Sequence, residues 1–521
     1  MNTGEWIRKR SLLSGEKTAI IFEDNKRDEK PTYSFTYKEL NERVNRLANI
    51  LMKKGIRKGD RVACLCHNGN EILEGYFATS KIGAIYVPLN FRLESPEITF
   101  MLRDSGSKAF IFQDYFSELA NSVYASVSVS PRNYIVIGGK ENRWESYEEL
   151  LSLSSPEEPE LEEEVDIDDP QMIMYTSGTT GAPKGALMSH KKTYYNTFNA
   201  QIYFDLTSKD VMLVVMPLFH SGGLNICAVP IIYQGGTAVI QSAFDPKGTL
   251  ALIEKHRITA GLVVPTMLNF FLKKGDIDNF DLSSLRTLVI GGEPLSVSLI
   301  REFQKRNIAV RQLFGQTETS IQTCQMSDEE AVEKIGSVGR EVFHCSIKIV
   351  DRNGKEVPTG EVGELILKGP TQMIGYWNNP RETENTIKNG WLYTGDLARM
   401  EEGGYVYIVD RERDVIISGG ENIYPAEIEK VYASHPKILE AAVIGLKDEK
   451  WGEVGKALIA LKEGEKMDEQ EALEYLNGKL ARYKIPKCVE FTSEFPKTAS
   501  GKIRKADLRK KYSFETESNK I

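Results

Sequence analysis

Apolar residues recur along this chain at two alternating spacings, and the alternation predicts a layered α/β fold. Leu40, Val44, Leu47 and Leu51 fall at helical spacing behind a Thr36–Glu39 capping box, and Gly55 ends the run. The stretch 61–66, RVACLC, alternates as a strand, 71–82 returns to helical spacing, and 84–88 reads as another strand. Further strands are predicted at 108–113, 133–138, 171–175, 210–216, 237–242, 259–264, 286–290 and 309–314, with helices such as 246–257 and 297–306 between them. One small sheet cannot hold so many strands, so several βα layers are expected.

The pattern changes twice. Residues 153–170, LSSPEEPELEEEVDIDDP, are acidic, proline-containing and aperiodic, which predicts a solvated surface connection. From about 346 to 411, short alternating runs with turn signals (SIKIVDRNG, GELILKG, GGYVYIVD) predict an antiparallel β unit attached to the α/β body. After Arg411 a final segment with its own strands and helices reads as a separate domain.

Composition narrows the classes. The chain has 521 residues, 41% hydrophobic and 27% charged, which fits two to four globular domains rather than a disordered or fibrous chain. The apolar patch 260–272 is interrupted by Pro265, Thr266 and Asn269, too short and too polar to span a membrane. No signal, transit, prenylation or peroxisomal pattern stands at either end, so the expected compartment is the cytoplasm. Six scattered cysteines form no disulfide framework, and Cys64 and Cys66 share one strand face, which favours core packing over a metal site. The formal charge of −8 argues against nucleic acid, yet residues 479–511 carry eleven Lys/Arg against three acids. From Asp414 onward the balance is nineteen acids to nineteen bases, so the −8 belongs to the larger part and the basic stretch asks for a local anion.

The chemistry announces itself after the strand QMIMY, in Thr176-Ser177-Gly178-Thr179-Thr180-Gly181-Ala182-Pro183-Lys184-Gly185. Glycines free backbone N–H groups to face an anion, hydroxyls add donors and lysine adds a point charge, a composition suited to a polyphosphate. Lys184 is followed by Gly185 and not by Ser or Thr, so this is not the Walker A pattern.

With that loop the chain resembles the adenylate-forming superfamily of acyl-CoA synthetases, peptide-synthetase adenylation domains and beetle luciferases. YTSGTTGAPKGALMSH is followed in family order by MPLFHSGG (216–223), GGEPL (291–295), FGQTET (314–319), WLYTGD (391–396), DRERDVIISGGENIYPAEIE (410–429) and PKTASGKIRK (496–505). The resemblance runs from about residue 35 to 505 and is closest to free-standing CoA ligases. It implies a large N-terminal domain, 1–410, of layered α/β subdomains plus a β unit, a hinge at 411–413, and a small mobile α+β C-terminal cap, 414–521.

It also implies the site. Lys502 matches the lysine that bridges the acyl carboxylate and the α-phosphate. Thr317 and Glu318 match the phosphate contact and the Mg²⁺ ligand, and one carboxylate suffices because Mg²⁺ keeps waters and phosphate oxygens. The nucleotide is expected at Thr176, Ser177, Gly178, Thr179, Thr180 and Lys184, at Gly292, Glu293 and Pro294, and at Phe314, Gly315, Gln316 and Thr317. Phe314 stands where relatives usually have Tyr, which keeps the stacking face and removes a hydroxyl. Asp396 matches the acceptor of the ribose hydroxyls, Arg411 a ribose contact, and His220 a residue beside the acyl carboxylate.

In the family the cap rotates between two half-reactions, presenting first Lys502 and then the loop Ser418-Gly419-Gly420-Glu421, whose glycines suit a narrow pantetheine tunnel. Arg413 falls at the hinge, where relatives carry Asp or Lys. The implied activity is ATP- and Mg²⁺-dependent carboxylic acid:CoA ligation through an acyl adenylate, with coenzyme A as cosubstrate. Expected partners are a small carboxylic acid, ATP and CoA, with a homodimer as one expected assembly, but no nucleic acid. The acyl pocket is expected near 220–225, 264–268, 291–294 and 315–316, with Gly222, Gly223 and Gly292 leaving room for the tail. A medium- or long-chain fatty acid is the first expectation. An aryl acid of the hydroxycinnamate or benzoate kind, or loading of a separate carrier protein, is the alternative.

Overall fold

The computed structural model describes residues 2–24, 32–139, 143–176, 183–291, 297–418, 421–448, 450–497 and 501–518. They form a mixed α/β protein of two compact units, 1–347 with 367–393, and 348–366 with 394–521. The chain passes between units within the strands Ser346–Val350, Val362–Lys368 and Trp391–Met400.

The first unit is built on two large sheets. Among the described residues one has eight strands, in the order Gly375–Tyr376, Lys184–Ser189, Pro170–Thr176, Ile85–Pro88, Arg61–Leu65, Ala109–Gln113, Tyr134–Ile137 and Glu145–Ser146. The other has seven: Ala309–Gln312, Thr287–Ile290, Ala260–Val263, Val211–Val214, Thr237–Gln241, Thr18–Glu23 and Thr32–Thr36. Their central pairings are parallel, and central strands such as Ile85–Pro88 and Thr287–Ile290 are buried along their length, as expected where helices cover both faces of a sheet. Phe110, Phe112, Tyr134 and Leu65 fill the core of the first sheet; Leu213, Val263, Leu288 and Phe271 fill that of the second.

The helix Tyr37–Lys53 begins at the Thr36–Glu39 capping box, with both reciprocal bonds formed. The expected strands and helices through residue 312 appear with small changes at their ends; the strand expected at 210–216 stops at Val214, which leaves 215–221 as a loop. Several helices are not among those the spacing predicts, including Glu5–Ser14, Ser95–Ser105, His190–Phe204 and Pro265–Lys274. The last starts on Pro265, the residue that interrupts the apolar patch, since a proline at the first helical position loses no hydrogen bond.

Residues 153–170 do form an irregular surface connection, but not a freely solvated one. Glu158 accepts from Asn41 and Asn45 and pairs with Lys81, whose ammonium is otherwise buried, so the connection is strapped to two helices. Cys64 and Cys66 lie side by side in the core, with sulfurs 3.6 Å apart, and no cluster of metal-ligating side chains occurs among the described residues.

In the second unit the strands Glu421–Ile423, Ile416–Ser418, Gly452–Leu461 and Ile438–Asp448 follow one another across a sheet, and Cys488–Phe491 pairs with Gly452–Leu461. Alternate residues of Ile438–Asp448 feed separate cores: Val443 packs with Ile428, Tyr432 and Ile459, while Ala442 and Ile444 pack with Leu458, Leu508 and Tyr512. The basic excess at 479–511 is largely answered inside this unit. Lys484, Lys487, Lys497, Arg504, Lys505 and Arg509 each pair with a carboxylate.

Candidate nucleotide and acyl site

The residues expected to act fall into two sets, one in each unit. In the first, the glycine- and hydroxyl-rich segment joins two antiparallel neighbours, Pro170–Thr176 and Lys184–Ser189, and Thr176 stands opposite Lys184 in the register. A strand, and not a helix, follows the loop. Ser177, Gly178, Thr179 and Thr180 lie outside the described residues, as do Gly292, Glu293 and Pro294.

The strand Phe314–Gln316 runs antiparallel to Ser320–Gln325, and the turn 317–319 joins them. Gln316 N–H donates to Thr319 Oγ1 at 3.0 Å and Thr319 N–H returns to the Gln316 carbonyl at 3.3 Å, which fixes the turn that carries Thr317 and Glu318. Phe314, Gly315, Gln316, Thr317 and Glu318 are all half-buried.

Glu318 meets the hairpin formed by Pro170–Thr176 and Lys184–Ser189. Its Oε1 accepts from Thr176 Oγ1 at 3.1 Å and from the Tyr376 hydroxyl at 3.0 Å, and its carbonyl accepts from Met373 N–H at 2.8 Å. Tyr376 sits on the short strand beside Lys184–Ser189, and burial together with the Glu318 carboxylate pushes its phenol well above the ordinary value. Lys184 pairs with Glu382, and its ammonium lies 5.5 Å from the centre of the Tyr376 ring. Oε2 of Glu318 has no partner, and no lysine or arginine pairs with it, among the described residues. A lone carboxylate with one open oxygen fits a Mg²⁺ ion that draws its other ligands from water and phosphate, and not a closed protein cage.

His220 lies elsewhere in this unit, on the loop after Val211–Val214, and its Nδ1 accepts from Gly222 N–H at 3.3 Å. Asn68 holds that loop: Nδ2 donates to the carbonyls of Met216 and Gln241, and Oδ1 accepts from Leu218 N–H at 2.8 Å. Residues 222–228 then wind as a π-helix. Gly223 does not make room for a substrate tail as expected. A Cβ there would stand 2.5 Å from the carbonyl oxygens of Met216 and Pro217, so glycine is needed for close backbone packing. Leu268, another expected pocket residue, is fully buried in the core.

In the second unit, Asp396 and Arg411 are opposite one another on antiparallel strands, with Arg411 Nε to Asp396 Oδ1 at 2.6 Å. Gly395, inside the strand Trp391–Met400 and next to Asp396, takes φ +69°, which glycine adopts without strain. Arg413 is exposed in the short turn Glu412–Asp414. Ser418 and Glu421 face each other at the end of a hairpin whose tip, Gly419 and Gly420, lies outside the described residues. Lys502 is exposed beside the Lys497–Ile503 bridge.

Tyr376, Glu382 and Lys192 also stand at this site, outside the motifs legible in the sequence. Tyr376 and Glu382 fall in the string GYWNNPRE between recognised motifs, and Lys192 follows YTSGTTGAPKGALMSH by two positions. Lys192 is buried, and its ammonium donates to Ser320 Oγ at 2.8 Å and to the Thr371 carbonyl at 2.7 Å. Burial draws it down to about 7, with the Glu318 carboxylate opposing that shift.

A glycine- and hydroxyl-rich hairpin that meets a carboxylate with one open oxygen is an arrangement suited to Mg·nucleotide chemistry. Residues 8–377 match the AMP-binding enzyme family and residues 427–502 the AMP-binding enzyme C-terminal domain, and the chain belongs to this family. It is 39% identical over 509 residues to a feruloyl-CoA synthase of Amycolatopsis sp., covering 98% of this chain and 99% of that protein. It is 35% identical over 512 residues to a long-chain-fatty-acid–CoA ligase of Mycobacterium tuberculosis, covering 98% and 99%. Among solved structures, the o-succinylbenzoate CoA synthetase of Bacillus subtilis in complex with its acyl-adenylate intermediate matches with a TM-score of 0.85 at 33% identity, covering 98% of each chain. No helix among the described residues is long and apolar enough to cross a membrane.

Proposed function

We propose that the protein is an AMP-forming carboxylic acid:CoA ligase, acting on an acid with a largely apolar tail. The observation that carries the reading is Glu318, held by Thr176 and Tyr376 at the mouth of the phosphate-loop hairpin with Oε2 open.

In the first half-reaction a substrate carboxylate oxygen attacks the α-phosphorus of ATP, and the bond to pyrophosphate breaks. Two anions meet, so the residues at the phosphates must carry positive charge and hydrogen-bond donors. Lys184 and the Thr317 hydroxyl supply them from the first unit, and Lys502 meets the acyl carboxylate and α-phosphate. Glu318 would hold Mg²⁺, whose charge offsets that of the phosphates. Phe314 and 292–294 flank the adenine, and Asp396 accepts from the ribose hydroxyls beside Arg411. In the second half-reaction the CoA sulfur attacks the acyl carbonyl carbon and AMP leaves. His220 orders the acyl end, the 418–421 hairpin borders pantetheine, and the cap 414–521 turns about 411–413 between the two steps.

The names of the relatives give aromatic and fatty acids equal standing, which withdraws the preference for a fatty acid. A cytoplasmic enzyme fits six free cysteines, five of them buried. The test is AMP release in the presence of ATP, Mg²⁺ and CoA across fatty, hydroxycinnamic, benzoic and arylacetic acids. Acid-dependent release that Lys502→Ala abolishes is expected. Full adenylation by that variant would remove Lys502 from its role, and acylation confined to a phosphopantetheinylated carrier protein would replace CoA as acceptor.

A further inference from the structure

Lys192 is a fully buried ammonium with no carboxylate within ion-pair distance among the described residues, satisfied instead by two neutral oxygens. Such a group lowers stability relative to an apolar side chain of the same length, because desolvation is not repaid by a paired charge. Its partners explain the placement. Ser320 stands two residues after Glu318 with φ +65°, a left-handed conformation that a serine rarely adopts. Ser320 Oγ donates to the Thr371 carbonyl at 3.0 Å, so Lys192, Ser320 and Thr371 close a triangle. Two residues on, Met373 N–H donates to the Glu318 carbonyl. The triangle therefore fastens the strained exit of the Glu318 turn to segment 371–373 from the buried side.

We propose that Lys192 is a positioning residue for the nucleotide site: it locks the Ser320 backbone in its left-handed state and so aims the Glu318 carboxylate. The proposal rests on the reading that Glu318 receives the metal of Mg·ATP. Lys192→Met keeps length and packing and leaves the Ser320–Thr371 bond in place, so the variant should fold.

The decisive measurement is calorimetric binding of ATP with Mg²⁺ and with EDTA, in the absence of acid and CoA, on the full chain. In Lys192→Met the gain in ATP affinity that Mg²⁺ confers should fall about tenfold, the order of one lost charge-assisted hydrogen bond. The KM for CoA should stay as in the wild type and the thermal midpoint should hold or rise. Adding Ser320→Gly, which adopts φ +65° without strain, should return part of the lost Mg²⁺ dependence. A Lys192→Met protein with the full Mg²⁺ gain, or one with a lowered midpoint and equal losses for ATP and CoA, overturns the proposal. Glu318→Gln separates the two readings: if it keeps the Mg²⁺ gain, the assignment of Glu318 fails; if it loses the gain while Lys192→Met keeps it, only the Lys192 inference fails.

Discussion

Arg411 lies directly opposite Asp396 across two antiparallel strands and donates from Nε to Oδ1 at 2.6 Å. The carboxylate is nearly inaccessible, with its side chain 4% exposed against 38% for the arginine. Its backbone N–H donates to Thr394 Oγ1 at 3.1 Å, and that hydroxyl donates to the Leu365 carbonyl at 2.7 Å, so Asp396 is fixed by its own unit. Asp396→Asn preserves shape and weakens the acceptor. It should raise the KM for ATP by about tenfold or more, the usual effect of losing a charged hydrogen bond, with the KM for CoA unchanged. Steady-state kinetics with each substrate varied checks this, and an unaltered ATP KM would remove Asp396 from the nucleotide site.

Tyr376 and Thr176 share one oxygen of Glu318, which makes their contributions interdependent. Tyr376→Phe removes one neutral donor and should lower ATP–pyrophosphate exchange about three- to tenfold. Thr176→Val should do the same, and the double variant should lose less than the product of the two. A strictly multiplicative loss would mean that the two hydroxyls act on different groups.

Elements whose apolar spacing is set locally were legible in the sequence. The helix Tyr37–Lys53 starts at its capping box, and the parallel strands appear within two residues or so of their expected ends. The order of motifs pointed to Thr176 and Glu318, yet the contact between them, 142 positions apart, depends on how two sheets bring their strand ends together. Glu158 shows why a charge run misleads: the rest of its acidic, aperiodic stretch says nothing of the buried Lys81 waiting for one carboxylate. Gly223 is the converse case, since an absent side chain looks the same in a sequence whether it leaves space for a ligand or admits a carbonyl. Lys192 gave no signal at all, because a lysine early in a helix is ordinarily a surface residue.

His190 makes a prediction about acid stability. Its Nδ1 lies 3.3 Å from Thr3 N–H and 2.9 Å from Thr3 Oγ1 in the core, and burial draws the ring down to about 3. The folded value is therefore below the unfolded one of about 6.5. The neutral ring's stabilisation is fully present above pH 6.5 and is lost as pH falls through 3. His190→Asn, which retains polar groups but cannot take up the proton, should lose ground to the wild type at pH 7 and regain it on acidification, by on the order of a few kcal/mol. Thermal midpoints of both proteins between pH 7 and pH 4 report it, and a constant difference over that window would mean that the ring keeps its ordinary titration.

Arg413 stands between two anchored neighbours. Asp410 accepts from Arg411 N–H at 2.7 Å and from Ala426 N–H at 2.8 Å, and Asp414 is paired with Arg509. Arg413 itself is exposed, and its one ion-pair contact among the described residues is to Asp414 at 4.0 Å. Backbone rotation at Arg413 thus meets little side-chain resistance, whereas rotation at Asp410 or Asp414 would break partly buried bonds. Proline at 413 restricts φ to about −65°, which suits a short 3₁₀ turn and forbids large departures from it. Arg413→Pro should leave ATP–pyrophosphate exchange within about threefold of the wild type while thioester formation falls by about two orders of magnitude, the separation expected when a domain motion and not the chemistry is blocked. Measuring the two half-reactions on the same preparation checks it. Equal loss of both would place the turning point elsewhere in the chain.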